Sequence, residues 1–597
     1  MDWWKKFGIR NSKFEICLII FAAWFVYSPA FHGAWLGDWD DAYEITRNSV
    51  LRDPAGLRKI WLAPSALDYY PLKTSVQWVQ WRLWGLDPFG YHLTNVALHL
   101  LSAFLLWHLL RKLGVRLAWL GGLLFVVHPM MIESVAWIVE LKNTLSMAFL
   151  LLAFSAWIEF ERWGDAPPRR QIAAANGDSP NANEARPGRH APPLLCYGCA
   201  FLFFLAAMLS KTTVVMFPVV LLLYAWWRRG RVGRRDLLAS APFFAVSLIL
   251  GLVTIWFQQH RVIQTVVIPV GGFFPRLAVE GLAASFYFWK FVAPVDLMPI
   301  YPRWNVDPPS ALQFLPWVVI GAVFIALIRW GGAPPRRQIT SADEGSPNAD
   351  QASRGRVAPP SISGFRFQIS AFAKDAVFGL GWFLLFLLPV SGFVPIATMR
   401  FTWVMDHFAY VSLLGLIGLA VAGLGKVDAA LVAAEQSEDG SRRVSTRNAA
   451  GRGVYLLSAV VSAVVLALAV SSRNYARTFS DGKTFWASAV ERNPAAWPAQ
   501  YNLALALLQD GQFPGAIDHL EQAVRLYPDY TAAQNNLANA LSQTGRYAEA
   551  VPHFERALRL DPGSAVTHYN FGLTLRALGR RDEARAQFLA AAKLLRR

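Results

Sequence analysis

Long apolar runs recur along the first 475 residues, each interrupted by short polar or basic stretches. Most are close to the ~20 residues an α-helix needs to cross hydrocarbon. Taken in order they predict eleven spans, at about 14–35, 91–110, 117–131, 144–159, 194–209, 213–227, 237–257, 311–328, 376–395, 408–425 and 454–470. A further apolar segment, Leu277–Val292, carries Glu280 and Lys290. Ionisable groups are costly at the centre of a span, so this segment is expected to be re-entrant or interfacial. Trp61, Trp78, Trp81 and Trp84 lie in the long loop after the first span, where aromatics suit helices at the interface.

Beyond residue 475 the apolar runs give way to a repeat of 34 residues. Asn502, Asn536 and Asn570 align, as do Gly511, Gly545 and Gly579. The same register holds for Ala516, Ala550 and Ala584, and for Ala523, Ala557 and Ala591. Pro494, Pro528 and Pro562 close successive units. Small residues at the Ala columns let paired helices approach, while Leu520, Phe554 and Phe588 fill the space between pairs. This is similar to the tetratricopeptide repeat. Full repeats are expected at about 497–530, 531–564 and 565–597, with a half repeat at 481–494 marked by Trp486 and Ala489. Such stacks offer a concave surface to peptide or protein partners. The fold class is therefore all-α: a multi-span membrane domain over 1–475, then a repeat solenoid over 476–597.

Charge orients this layout. Lys5, Lys6, Arg10 and Lys13 place the N-terminus in the cytoplasm, and Arg111-Lys112 and the arginines at 228–235 mark the same side again. The repeats and the loop after the first span then share the outer face. The net charge is +17, but residues 481–597 carry 13 Lys/Arg against 11 Asp/Glu. The excess sits in the membrane portion, where it suits topology marking and contact with anionic membrane lipids, and not nucleic acid binding. Three cysteines make no disulfide framework, and Cys196-Tyr-Gly-Cys199 lacks the context of a redox or metal motif. No Asn-x-Ser/Thr sequon occurs, which favours a bacterial cytoplasmic membrane, and residues 1–35 read as an uncleaved anchor.

Three linkers, 162–193, 331–374 and 426–452, are expected to be disordered and cytoplasmic. The first two share copied text: Ala166–Ile172 recurs as Ala333–Ile339, and Ser179–Ala182 as Ser346–Ala349. Their flanks differ, so the copy is a duplicated insertion rather than a repeated fold.

Acidic residues are scarce, 40 in 597, yet Asp38, Asp40 and Asp41 fall within four residues directly after the first span. Under this topology the outer face also holds His128, Glu133, Lys142, Lys211, Lys290, Arg400 and Asp406. Carboxylates beside several cations suit a lipid-phosphate-linked substrate, since a carboxylate can take a proton from an attacking hydroxyl while Lys or Arg stabilises the leaving phosphate. No phosphate-cradling Gly loop, HExxH or nucleophile elbow is present.

Several stretches resemble a known family. They are Tyr70-Pro71-Leu72, Trp84–His99, His128–Trp137, Leu209-Ser210-Lys211, Tyr301-Pro302, Gly381-Trp382, Leu388-Pro389-Val390 and Asp406–Tyr410. In order and spacing they look like the transmembrane-and-tetratricopeptide-repeat proteins related to protein O-mannosyltransferases. That resemblance implies the glycosyltransferase C fold and a polyprenyl-phosphate-linked sugar as donor. It also implies an inverting transfer on the outer face, with a protein Ser/Thr acceptor recruited by the repeats. It assigns the catalytic base to Asp41 or Asp40, and donor phosphate contacts to Lys142, Lys211 and Lys290, with His407 able to assist when protonated. Asp38, Glu133, His128 and Asp406 would be supporting residues. The clustered acids could also hold a divalent cation. Two motifs depart from the family pattern. Glu140-Leu141-Lys142-Asn143 stands where Glu-Arg-Lys-Asp is usual, and Asp406-His407-Phe408 where Asp-Arg-Tyr is usual. Two alternatives stand beside this reading: a ligase for lipid-linked glycans, with the repeats serving assembly only, and a catalytically inactive membrane-anchored scaffold, which the two missing arginines suggest.

Overall fold

The computed structural model describes residues 12–37, 40–62, 68–164, 193–263, 268–331, 362–436 and 443–596. Asp38 and most of the duplicated segments, 165–192 and 332–361, lie outside them. Every regular element among the described residues is helical. Among the described residues eight helices are long and apolar enough to cross a membrane: Pro88–Lys112, Ile138–Trp163, Pro193–Ser210, Arg234–Ile263, Ala311–Arg329, Phe372–Val390, Leu413–Ala434 and Arg452–Arg477.

The other three expected spans are shorter or broken. α1 (Ser12–Tyr27) has 16 described residues, and the helix Phe217–Arg229 has 13. The third, Ala118–Val127, is followed after His128 by Pro129–Ala136 at a bend of 64°. The bend has a local cause: Pro129 has no backbone N–H to continue the ladder, and His128 turns to β geometry and accepts from Met130 N. Phe273–Val292 is a single 20-residue helix carrying Arg276, Glu280 and Lys290, and it is not among the eight. Helices also reach into the expected linkers: Ile362–Leu387 begins ahead of residue 374, and Leu413–Gln436 and Arg443–Arg477 enter 426–452 from both ends.

Pro88–Lys112 packs on Ala118–Val127 and on Leu141–Gly164, which in turn lies along Pro193–Ser210. Arg443–Arg477 returns against α1. That return brings the end of the membrane domain beside its beginning. It places the first repeat helix, α2 (Gly482–Arg492), next to the loop that follows α1: Ala34 N donates to Ser480 O at 2.7 Å, and the Trp486 indole donates to Leu36 O at 3.3 Å.

The repeats follow as helix pairs, Trp497–Gln509 with Phe513–Leu526, Thr531–Gln543 with Tyr547–Leu560, and Ala565–Ala577 with Arg581–Leu595. Ala516, Ala550, Ala523 and Ala557 are fully buried between helices, as are Leu520 and Phe554. The stack contains a second periodic device. His519 Nδ1 meets Gln500 Oε1 at 2.7 Å while Gln500 donates to Pro494 O at 2.9 Å. His553, Gln534 and Pro528 repeat this at 2.8 and 2.8 Å. In the third unit the partners exchange places: His568 pairs with Gln587 at 2.6 Å and reaches Pro562 O at 3.2 Å. The exchange preserves the bridge from the inter-repeat Pro to the second helix of each pair.

Candidate functional site

The acids sit on a turn fixed from three sides. Gly37, just after Leu36, has φ +92°, a conformation an L side chain rarely adopts. Leu36 N then donates to Asp41 Oδ2 at 2.8 Å. From across the fold, the Trp137 indole donates to Asp41 Oδ1 at 3.1 Å. Asp41 is only 1% exposed, and burial pushes its carboxyl up to about 7 even though both hydrogen bonds favour the charged form. Asp40 is half-buried on the same turn. Burial raises its carboxyl to about 6, with Lys142 pulling it down and Glu44, Glu140 and Asp68 pushing it up.

The next turn brings in Glu44, whose Oε2 is 2.8 Å from Lys73 Nζ and whose Oε1 is 3.8 Å from Lys142 Nζ. Burial works against ionisation of Glu44, but the two ammonium groups outweigh it and hold the carboxyl below its ordinary range. Lys142 reaches on to Glu140 Oε1 at 3.1 Å. Glu140 Oε2 lies 3.6 Å from Lys211 Nζ, and Lys211 donates to Asn143 Oδ1 at 2.6 Å. Burial, reinforced by Lys142, lowers the Lys211 ammonium to about 8 despite Glu140. His407 closes the ring. Its Nε2 is 3.9 Å from Glu140 Oε1, its Nδ1 3.1 Å from Glu133 Oε1, and its backbone N–H donates to Glu133 Oε2 at 2.9 Å.

Thus five of the residues marked by sequence, Asp40, Asp41, Lys142, Lys211 and His407, meet in one buried polar cluster, with Glu133 behind His407. Three do not join it. Lys290 turns away and donates to Val295 O at 2.5 Å and Asp296 O at 3.2 Å, closing the loop after its own helix. His128 caps the broken helix, meeting Phe291 O at 3.0 Å through Nε2. Asp406 is fully buried and accepts from Tyr301 at 2.8 Å and Tyr475 at 3.1 Å, so it braces the turn that carries His407. Its carboxyl is raised, by burial first and then by Glu133.

Sequence reasoning missed Glu44, Lys73, Trp137, Glu140 and Asn143 as site residues. Each had a signal: Glu44 follows the acid pair by one turn, Lys73 follows Tyr70-Pro71-Leu72, and the others lie in the motifs around residues 128–143. Among the described residues no group of three or more His, Cys, Asp or Glu is placed to hold a metal ion. Positive charge here comes from lysines. The arrangement brings carboxylates able to accept a proton within reach of ammonium groups able to bind a phosphate.

Comparison with known proteins finds repeat families and partial matches to curated proteins. Tetratricopeptide-repeat families match residues 475–531, 501–565 and 543–595. In the human protein O-mannosyl-transferase TMTC1, 132 residues are 32% identical, covering 20% of this chain and 15% of that protein. The Caenorhabditis elegans protein O-mannosyl-transferase F38B6.6 is 27% identical over 161 residues, 24% of this chain and 22% of that one. The Xenopus laevis protein O-mannosyl-transferase tmtc2 is 36% identical over 93 residues, 15% and 11% of the two chains. The matched regions therefore span between 11% and 22% of these relatives' lengths. Among solved structures, a crystal structure of MamA is 24% identical with a TM-score of 0.19, covering 21% of this chain and 68% of that one. The chain carries tetratricopeptide repeats on a multi-pass helical domain, and its curated relatives are of the TMTC type.

Proposed function

We propose that this protein is a membrane glycosyltransferase that moves a sugar from a polyprenyl-phosphate donor to a hydroxyl of an acceptor protein. The observation that carries the reading is the run of charged contacts that starts from Glu44, one turn after Asp40 and Asp41, and passes through Lys142 and Glu140 to Lys211, side chains far apart in sequence. The named relatives, protein O-mannosyl-transferases, agree with mannose as the sugar and with protein as the acceptor.

In this reading the acceptor oxygen attacks the anomeric carbon as the bond from that carbon to the phosphate oxygen breaks. The hydroxyl proton passes to a carboxylate of the acid pair, and the polyprenyl phosphate leaves with the bonding electrons. Configuration inverts in the single displacement. Asp40 is the better placed base because it is less deeply buried, whereas both oxygens of Asp41 are held by Leu36 and Trp137. Asp41 then fixes the turn. Lys142 and Lys211 stabilise the charge that develops on the leaving phosphate, and His407 adds to them when protonated. The repeats present or recruit the acceptor on the same face. Incorporation of radiolabelled mannose from undecaprenyl-phosphate mannose into protein, in vesicles bearing the chain, tests the reading.

A further inference from the structure

We infer that the half repeat is part of the catalytic apparatus: Trp486 is a positioning residue that holds the acid pair in place through Leu36. The inference rests on the reading of Asp40–Asp41 as the reactive acids. Leu36 is bonded on both sides of its Cα. Its N–H donates to Asp41 Oδ2 at 2.8 Å, and its carbonyl accepts from the Trp486 indole at 3.3 Å. The contact leaves no slack. A Cβ at Gly482 would sit 2.9 Å from Leu36 O and 3.0 Å from its carbonyl carbon, so α2 can approach this strand of chain only with Gly at its first position.

The second donor to Asp41 is tied to the same helix. Phe485 packs on Trp137 with ring centroids 5.8 Å apart, and Phe485 and Trp486 are both buried. α2 therefore supports both hydrogen bonds that hold Asp41, one through Leu36 and one through Trp137. Its far end is clamped to the membrane domain as well, by Arg492 donating to Leu297 O at 3.0 Å and Asn493 to Ile300 O at 3.2 Å. An ordinary repeat helix used only for stacking would need none of these contacts. Through its packing against Trp497–Gln509, α2 joins the acid turn to the repeat stack.

Loosening Leu36 removes an N–H that favours ionised Asp41. The charged groups facing the turn, namely Asp40 and Glu44 on it, Lys73 and Asp68 beside it, and Lys142, Glu140 and His407 across it, stay in place. The test uses the full chain in membranes. Dicyclohexylcarbodiimide, which modifies protonated carboxyls in apolar surroundings, is applied across pH 5 to 9 and modified Asp41 is quantified by mass spectrometry. In the unaltered protein the midpoint is expected near 7. Trp486→Phe keeps the ring but deletes the donor, and Gly482→Ala displaces the Leu36 carbonyl. Both are expected to move the midpoint up by about half a unit to one unit. Trp497→Phe, which alters the packing on Phe401, should leave the midpoint unchanged. If Trp486→Phe fails to fold, Gly482→Ala carries the test. Midpoints coinciding with the unaltered protein would overturn the inference even if transfer is lost. Failure of the transfer reading shows separately, as full transfer by Asp40→Asn with the labelling shift still present.

Discussion

Asn143 accepts a 2.6 Å hydrogen bond from Lys211 and gives its own amide N–H to Glu140 Oε2, also at 2.6 Å. The amide thus satisfies Lys211 without neutralising it. With an aspartate here, as the related motif usually has, the ammonium would lie against two carboxylates instead of one. Asn143→Asp is therefore expected to raise the Lys211 ammonium above about 8 and to weaken its hold on a phosphate. The apparent KM for undecaprenyl-phosphate mannose should rise about tenfold, or ~1.4 kcal/mol. An unchanged KM would show that Lys211 does not face the donor.

Removing the charge itself should act on rate. Lys211→Met is expected to lower kcat by about 10²- to 10³-fold, the usual cost of losing one group that stabilises developing charge. Thermal stability should fall little, because Glu140 keeps Lys142 at 3.1 Å. Lys142→Met should be worse on both counts, since Glu140 and Glu44 each lose a partner. Parallel measurement of kcat and of the melting midpoint separates the two variants.

Asp40, Asp41 and Lys211 set the pH dependence. Activity should rise with pH as Asp40 ionises near 6 and fall as Lys211 deprotonates near 8, giving a bell. Stability runs the other way on the acid side. The Asp41 carboxyl is raised from 3.8 to about 7, so between those values the folded chain binds more protons than the unfolded one. Its contribution is fully present below 3.8 and is lost as pH rises through about 7. Asp41→Asn should flatten that decline. Melting curves of the two proteins at pH 4.5, 6 and 7.5 check the sign.

The exchanged bridge in the third repeat allows a clean double-mutant cycle. His568→Gln alone should destabilise the stack by about 0.5–1.5 kcal/mol, as should Gln587→His. The two together restore the Gln–His order of the earlier units and should recover most of the loss. Additive losses would mean that the bridge contributes nothing as a pair. Urea titration of the full chain, followed by far-ultraviolet dichroism, measures it.

Much of this was legible in the sequence because periodicity reports burial. The 34-residue columns mark the alanines and the Leu520 and Phe554 positions that the helices bury, and the long apolar runs mark the eight long helices. The weakness of the apolar signal appears at His128-Pro129, where one apolar run hides a 64° break. Within the candidate site, the run of scarce acids marked Asp40 and Asp41, and the family resemblance marked Lys142 and Lys211. Spacing could not say which of them converge. Lys290 looked equivalent to Lys211, yet its ammonium is spent on two backbone carbonyls of its own loop. Nor could it show that Trp486, 445 residues after Asp41, supports the same turn through Leu36.

One comparison tests the role of Asp40 most directly. Vesicles bearing the unaltered chain or Asp40→Asn are supplied with radiolabelled undecaprenyl-phosphate mannose, and label in acid-insoluble protein is counted. Transfer by the unaltered chain is expected, with a loss of at least about 10²-fold in Asp40→Asn while the variant stays folded and membrane-inserted. Full transfer by Asp40→Asn would contradict that role.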